Sequence, residues 1–512
     1  VERKSAFGLA DGEVHWGCCA VTVSKEASPA KPIDDDAGDA AGLRRRVFGG
    51  GHTVALRLVA TVALKFVGVL IISRILGPAN YGAYVAAYSL YAFVLAVGQA
   101  GTGVYLMQKP GALTSAHLGA ATTYLLLQST AIVVLVELLA APLGAYAHIP
   151  GFPDVLRIII LALPVQTLSV PAQALVERRL DLKGVAIIEL STLTGYYACA
   201  LPLALAGFGP SALAYALIFQ YLLAGPITYA VAGVKPAFGW DAPFIRDMMR
   251  FVTGYSASGV VWQLRGLVNP FIVGPVLGAY SVGMIALTIS VLEMLTLVRT
   301  MLWRITIAAL THLRGDTAKL RRIIGEGMEM HLLAIGAALL GFGWVGGLIV
   351  PVVFGARWLP IFHVYPYIAL SYLTMATFNM HSAALTLLDR NWLLVAFQTA
   401  NAIALAALAW FAVRFCGFLG YGYAEVGALP AYWLLHHFLE RQGVAPRYWP
   451  AAGWWLAAAI GLFWRELGLW AIAAPFVALL LPPSPQRILA MAANLRRHGK
   501  AGAPTSKPLT ES

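Results

Sequence analysis

The chain has 512 residues, of which 59% are hydrophobic and 12% charged, and its mean hydropathy is +0.73. That leaves too little polar surface for a soluble globule of this size and implies a protein that crosses a membrane many times. The net charge of +12 does not call for nucleic acid as a partner, because most Lys and Arg residues sit in short loops between apolar runs, where the positive-inside rule concentrates them.

Residues 1–43 are rich in Gly, Ala, Pro and Asp, carry no apolar run of signal-sequence length, and are predicted to be a disordered tail. The four cysteines, Cys18, Cys19, Cys199 and Cys416, have no metal-ligand spacing, and neither a disulfide, a metal nor a cofactor is expected. Membrane structure is predicted to begin after Arg44, Arg45 and Arg46. From there, apolar runs long enough to span a hydrocarbon core of about 30 Å occur at 53–76, 83–107, 117–142, 155–176, 185–206, 211–232, 251–274, 279–302, 329–354, 361–387, 392–415 and 421–439. A further apolar region, 450–482, is interrupted by Arg465 and Glu466 and counts as two short spans. The expectation is an all-α polytopic membrane protein of 12 to 14 spans.

Alternate loops differ in charge. One set carries Lys109, then Arg178, Arg179 and Lys183, then Lys235, Arg246 and Arg250, then Arg314, Lys319, Arg321 and Arg322, then Arg390, Arg441 and Arg447. The other set holds only Arg357, Arg414 and Arg465. Both basic tails fall with the first set, which predicts that both termini are cytoplasmic. The resulting divisions are an N-lobe over 44–234, a cytoplasmic interfacial linker over 235–250, a C-lobe over 251–440, two short extra spans within 441–483, and a basic cytoplasmic tail over 484–512. The linker, KPAFGWDAPFIRDMMR, is interrupted by Pro236, Gly239 and Pro243 and is predicted to be a flexible connector with an amphipathic end.

One stretch occurs twice. Ile71 to Tyr84 (IISRILGPANYGAY) and Ile272 to Ile285 (IVGPVLGAYSVGMI) share an L-G-x-x-x-x-G core, formed by Leu76, Gly77 and Gly82 and by Leu277, Gly278 and Gly283. Each copy ends one apolar run and begins the next, so each is predicted to be a tight turn between membrane helices. Six spans separate the copies, so both turns face outward and the lobes are parallel repeats about an axis along the membrane normal. These glycines are the candidate gating positions. Pro270 and Pro275 make the helix before the second turn a candidate hinge, because proline removes an intrahelical hydrogen bond.

A charged side chain at mid-membrane costs about 2.5–3.5 kcal/mol, so such residues face a cavity or a partner and mark function. Lys65, twelve residues before Gly77, and Arg265, thirteen before Gly278, are the deepest cations. They are the candidates for an anionic substrate group, with a buried ion pair as the plain structural alternative. Gln263 and Asn269 flank Arg265 and are candidate ligand contacts, while Arg57 and Arg74 share a helix with Lys65 and extend a basic track. Glu293 is open to two readings, a coupling residue or the neutralising partner of Arg265; Glu137 is a further acidic coupling candidate.

The run SRILGPANYGAY, the segment ERRLDLKGVAIIEL from Glu177 to Leu190, and the segment from Arg250 to Met284 together resemble the Wzx-like polysaccharide flippases of the multidrug/oligosaccharidyl-lipid/polysaccharide exporter superfamily. The resemblance covers roughly residues 44–440. It implies two six-helix bundles in the V-shaped arrangement of multidrug and toxin exporters, often with two added C-terminal helices. It also implies a bacterial cytoplasmic (inner) membrane location and a substrate that is an oligosaccharide on a polyprenyl pyrophosphate, whose anionic group would give Lys65 and Arg265 a purpose. Membrane lipids and other polysaccharide assembly proteins would be its partners. One departure stands out. Relatives commonly carry an acidic residue shortly before the second turn, where this chain has Asn269 and Pro270, so coupling through that position is not expected here. A multidrug antiporter of the same superfamily is the alternative, disfavoured by a mainly basic interior. A membrane glycan polymerase or glycosyltransferase is less favoured still: the outer loops are short, with no catalytic constellation, and no enzyme is expected.

Overall fold

The computed structural model describes residues 39–99, 101–255, 257–296, 317–388, 390–481 and 484–486. The predicted N-terminal tail lies outside the described residues up to residue 38, and the predicted C-terminal tail does so beyond residue 486. Apart from the first turns of the opening helix, everything that follows belongs to the compact unit His52–Ser512. Among the described residues every regular element is helical.

The first lobe comprises α1 (Asp39–Gln99), α2 (Thr102–Gln108), α3 (Ser115–Ala147), α4 (Phe152–Ile160), α5 (Ala162–Arg178), α6 (Leu182–Leu205) and α7 (Ser211–Ala232). Helix α8 (Ala242–Tyr255) leads into α9 (Ala257–Gly266), a π turn (Asn269–Val273) and α10 (Gly274–Leu295). The second lobe continues with α11 (Thr317–Val353), α12 (Ile361–Thr377), α13 (Asn379–Leu387), α14 (Asn391–Cys416), α15 (Phe418–Gly427) and α16 (Trp433–Arg441). Helices α17 (Trp449–Leu462), α18 (Trp464–Leu467) and α19 (Ala473–Leu480) follow. Eight helical stretches among the described residues are long and apolar enough to cross a membrane. Two of them, Val59–Gln108 and Gly259–Leu295, are double lengths folded at the two turn motifs. Shorter predicted spans are divided by local breaks, as where α12 gives way to α13 at Phe378.

Composition explains how these helices pack. In lipid the hydrophobic effect does not drive helix against helix, so close approach through small side chains takes its place. Ala86, Ala87, Ala200, Ala212, Ala214 and Ala216 are fully buried between the helices of the first lobe. The large apolar residues Leu127, Val134, Leu135 and Leu138 of α3 point outward instead. That distribution is the reverse of a soluble protein and suits an acyl-chain environment.

The two turn motifs have the same backbone. Gly77 adopts φ 72°, ψ 174° and Gly278 adopts φ 74°, ψ −178°, a region essentially closed to residues with a β-carbon. They also lock into each other. A β-carbon on Gly82 would lie 2.0 Å from the Ala279 carbonyl oxygen, and one on Gly283 would lie 2.0 Å from the Pro78 carbonyl oxygen. Pro78 and Ala279 hold equivalent places in the two copies, so the contact is reciprocal. Around it, Arg74 donates to the Val352 carbonyl at 2.6 Å, Arg357 donates back to the Arg74 carbonyl, and the Trp358 indole donates to the Ser73 carbonyl at 3.2 Å. Tyr81 meets the buried Trp358 edge to face at 5.9 Å. The lobes are thus closed against each other on the side of the turns.

The interfacial linker differs from a flexible connector. Asp241 caps α8 by accepting from the Phe244 backbone N–H at 3.1 Å, and Asp247 accepts from the Tyr105 hydroxyl at 2.5 Å. The Gly239 N–H donates to Thr123 at 3.1 Å, and Phe244 stacks on His117. Two side-chain bonds and a ring contact tie the segment to the first lobe, a pairing its Pro and Gly content did not reveal. The helix also runs past residue 250, the expected edge of the second lobe.

Candidate functional site: a tyrosine-lined cavity between the lobes

The second limb of α1 carries tyrosines at 81, 84, 88 and 91, a spacing that puts them on one helical face. The first three, with Tyr196 and Tyr197 of α6, form one wall of a cavity of about 360 Å³. The opposite wall comes from the second lobe: Trp262, Gln263, Arg265, Asn269, Glu293, Tyr372 and Tyr421. The tyrosine hydroxyls are within reach of one another and of serine. Tyr84 and Tyr196 approach to 3.4 Å, and Tyr81 lies 3.4 Å from Ser290 across the lobe boundary. Rings with hydroxyl tips offer flat apolar faces and hydrogen bonds together.

Among the described residues that line this cavity Arg265 is the cation and Glu293 an acid, and Arg265 is held in an ion pair. Arg265 Nη2 donates to Glu425 Oε2 at 2.6 Å, and the Ser371 hydroxyl donates to the same oxygen at 2.8 Å. The Glu425 side chain is 1% exposed and the Arg265 side chain 17%. Glu425 Oε1 is buried and makes no hydrogen bond. The guanidinium also lies 5.8 Å from the Trp262 ring. An ion pair held at such burial is costly to break from one side, because the remaining charge is left without compensation.

The break in the helix that carries Arg265 has a local cause. Pro270 cannot donate to the helix ladder, and the chain passes it through the π turn Asn269–Val273. The buried Asn269 donates to the Val282 carbonyl at 3.1 Å, stitching the break to α10, while its Oδ1 is buried without a hydrogen bond. Pro275 falls in the first turn of α10, where a missing N–H is tolerated. A π turn takes one residue more than an α turn. It therefore accounts for the thirteen-residue spacing from Arg265 to Gly278 against twelve from Lys65 to Gly77.

Of the residues singled out from sequence, Arg265, Gln263, Asn269 and Glu293 line this cavity together. Others lie elsewhere. Lys65 is exposed and outside the lining, on the helical face of Val69 and Ile72, which do line it. It therefore stands about one turn below the cavity, and the Tyr197 hydroxyl donates to its carbonyl at 3.3 Å. Arg57 pairs with Glu189 of α6 at 3.2 Å, which neutralises it within the first lobe and interrupts the expected basic track. Arg74 belongs to the turn-side closure rather than to a substrate surface. Glu137 is 3.8 Å from Arg157, a partly exposed pair away from the cavity. Glu425 is the carboxylate that pairs with Arg265. It was readable as the lone acid in the apolar run FLGYGYAEVG, and the tyrosine stripe was readable from its spacing.

Residues 71–363 match the family model described as polysaccharide biosynthesis protein, more than half of the chain. The chain belongs to that family. Two curated relatives extend the comparison. The succinoglycan biosynthesis transport protein ExoT of Rhizobium meliloti (strain 1021) is 30% identical over 208 residues, covering 40% of this chain and 41% of ExoT. The lipopolysaccharide biosynthesis protein WzxC of Escherichia coli (strain K12) is 23% identical over 326 residues, covering 62% of this chain and 65% of WzxC. Both matches span less than two thirds of the relative's length. Among solved structures, the lipid II flippase MurJ in an inward closed conformation superposes with a TM-score of 0.64 at 12% identity, covering 87% of this chain and all of MurJ. An inward-facing multidrug resistance transporter of the MATE family superposes at 0.62 with 13% identity, covering 76% of this chain and 97% of that transporter. The chain therefore has the fold of these two solved structures.

Proposed function

We propose that this protein is a flippase for a polyprenyl-diphosphate-linked oligosaccharide, serving the assembly of a cell-surface or secreted polysaccharide. One observation carries the reading: a cavity between two repeated lobes, rich in tyrosine, with its buried cation paired to a carboxylate that an anion can replace. Arg265 offers the planar fork that suits a phosphate, and Gln263, Asn269 and the tyrosines offer hydrogen bonds and ring faces to sugar. The prenyl chain stays in lipid while the head group occupies the cavity.

Lys65, exposed one turn nearer the linker side, meets the diphosphate on its way to Arg265. The lobes part alternately on the two sides, and the interlocked turns at Gly77, Gly82, Gly278 and Gly283 are the closure opposite the linker. Loop charge supports the cytoplasmic membrane of a bacterium as the location, with both termini cytoplasmic. The division at 44–234, 235–250 and 251–440 follows the same repeat, and other polysaccharide assembly proteins would receive the delivered substrate.

A cation antiporter would need a carboxylate free to meet a cationic drug, and Glu425 is committed to Arg265. The deciding experiment is depletion in the host that makes the glycan. Lipid-linked repeat units should accumulate in the inner leaflet while surface glycan falls. Unchanged leaflet distribution after depletion would overturn the assignment.

A further inference from the structure

Helix α8 does not offer its apolar face to lipid. Phe244, Ile245, Met248 and Val252 are buried in one cluster with Leu106 and Ala121 of the first lobe. The extended stretch just before the helix behaves in the opposite way: Phe238 is 65% exposed and Trp240 63%. These two flank Gly239, whose N–H donates to Thr123, and a β-carbon on Gly119 would lie 3.1 Å from the Phe238 carbonyl carbon. Gly119, Thr123 and Leu127 follow one another at four-residue spacing on α3. Residues 238–240 therefore lie on the side of α3 that continues into the outward-facing Leu127, Val134 and Leu138.

Helix length sets the depth of that crossing. The 33 residues of α3 measure about 50 Å at about 1.5 Å per residue, against about 30 Å of hydrocarbon. With the excess shared between the two ends, roughly the first seven residues stand at headgroup level. Gly119 is the fifth residue of α3 and Thr123 the ninth. The stretch therefore crosses α3 at the edge of the hydrocarbon, the level at which exposed aromatic rings settle in membranes.

We propose that the linker is a binding site for an anionic phospholipid of the surrounding bilayer. Phe238 and Trp240 pack against its upper acyl chains, and Lys235, Arg246 and Arg250 hold its phosphate. Charge is complementary to that occupant. Lys235, Arg246 and Arg250 are exposed, the two arginines one turn apart on the face of α8 opposite its buried residues. Lys109 lies 5.2 Å from the Phe244 ring and adds positive charge to the same region. Both acids of the linker are engaged, Asp241 by the Phe244 N–H and Asp247 by the Tyr105 hydroxyl. A lysine or arginine beside an anionic bilayer surface contributes about fivefold to the attraction. None of these residues lines the cavity between the lobes, so the inference stands independently of the flippase reading.

The test uses the purified full chain in phosphatidylcholine nanodiscs, with Phe238→Cys in a cysteine-free background carrying a bimane label whose rings stand in for the phenyl group. Increasing fractions of the lipid are replaced by phosphatidylcholine or phosphatidylglycerol brominated on the upper acyl chain, because bromine quenches the label only at contact. Both lipids should quench, with phosphatidylglycerol half-maximal at a mole fraction at least fivefold lower. The double change Arg246→Gln with Arg250→Gln should bring the two curves together while quenching by phosphatidylcholine persists, which also shows the stretch still in place. A label at Leu138→Cys, on the same side of α3 and far from the linker, should show no preference between the lipids. No quenching at position 238 by either lipid would place the stretch in water and overturn the inference. Equal curves with Arg246 and Arg250 intact would overturn it as well. Loss of the phosphatidylglycerol preference on adding a short-chain prenyl diphospho-sugar would give the site to that lipid instead, and so overturn it too.

Discussion

Replacing Gly283 with alanine should open the turn-side closure without unfolding either lobe. The new β-carbon would lie 2.0 Å from the Pro78 carbonyl oxygen, 2.9 Å from the Pro78 carbonyl carbon and 3.0 Å from the Gly82 nitrogen. Carbon and oxygen ordinarily meet no closer than about 3.3 Å, and these neighbours are backbone, so no side chain can rotate away. The turns must separate by roughly 1 Å. Overpacking of this kind costs about 1–3 kcal/mol. Because the strain is released when the lobes part, it falls on the closed state alone and shifts the closed-to-open ratio by roughly 5- to 150-fold. Spin labels at Asn80 and Tyr280, both exposed, would report it in a cysteine-free background by electron–electron distance measurement. A longer-distance population should grow in the variant, and transport should fall. Gly225→Ala is the matched control, since nothing lies within 4 Å of a β-carbon there. An unchanged distance distribution in Gly283→Ala would refute the claim that this contact holds the lobes together.

Arg265→Ala should lower thermal stability in detergent by an amount equivalent to about 3–5 kcal/mol, because it leaves the 1%-exposed Glu425 uncompensated. The double change Arg265→Gln with Glu425→Gln should restore stability without restoring surface glycan; recovered glycan would assign the pair a purely structural role. Lys65→Ala should leave stability within about 0.5 kcal/mol of native, as its side chain is exposed, yet still reduce export in a leaflet assay. Gly77→Ala should be destabilising by about 1–3 kcal/mol, since its backbone at φ 72° is strained for any other residue and its β-carbon would meet Arg357 at 2.8 Å. Melting curves of the purified variant would check it.

Much of the fold could be read from the chain because membranes reward a simple pattern. Apolar length sets a span, loop charge sets its direction, and a repeated L-G-x-x-x-x-G sets the relation of the halves. The backbone at Gly77 and Gly278 follows from glycine alone. What could not be read was which side chains meet. Arg265 finds its partner 160 residues later, on α15, and nothing in the spacing of Glu293, five helices nearer on α10, signals that it is not the partner. Lys65 and Arg265 hold matching positions relative to their turns, yet only one is drawn into its lobe. The difference lies on other helices: α15 supplies Glu425, whereas α7 has no acidic residue. Arg74 illustrates the same limit. Its charge suggested a path for anions, but its place beside the turn commits it to a carbonyl on the other lobe.

The reciprocal contact of Gly82 with Ala279 and of Gly283 with Pro78 has the form of an isologous interface, in which a patch meets its own copy across a two-fold axis. Such a patch is what two identical subunits present to each other, so the chain carries a homodimer's contact inside one polypeptide. In a true homodimer every residue of the cavity would appear twice, and an Arg–Glu pair on one side would require another facing it. Fusion removes that obligation. It lets α7 remain free of acid while α15 keeps Glu425 opposite Arg265, giving a symmetric hinge an asymmetric interior.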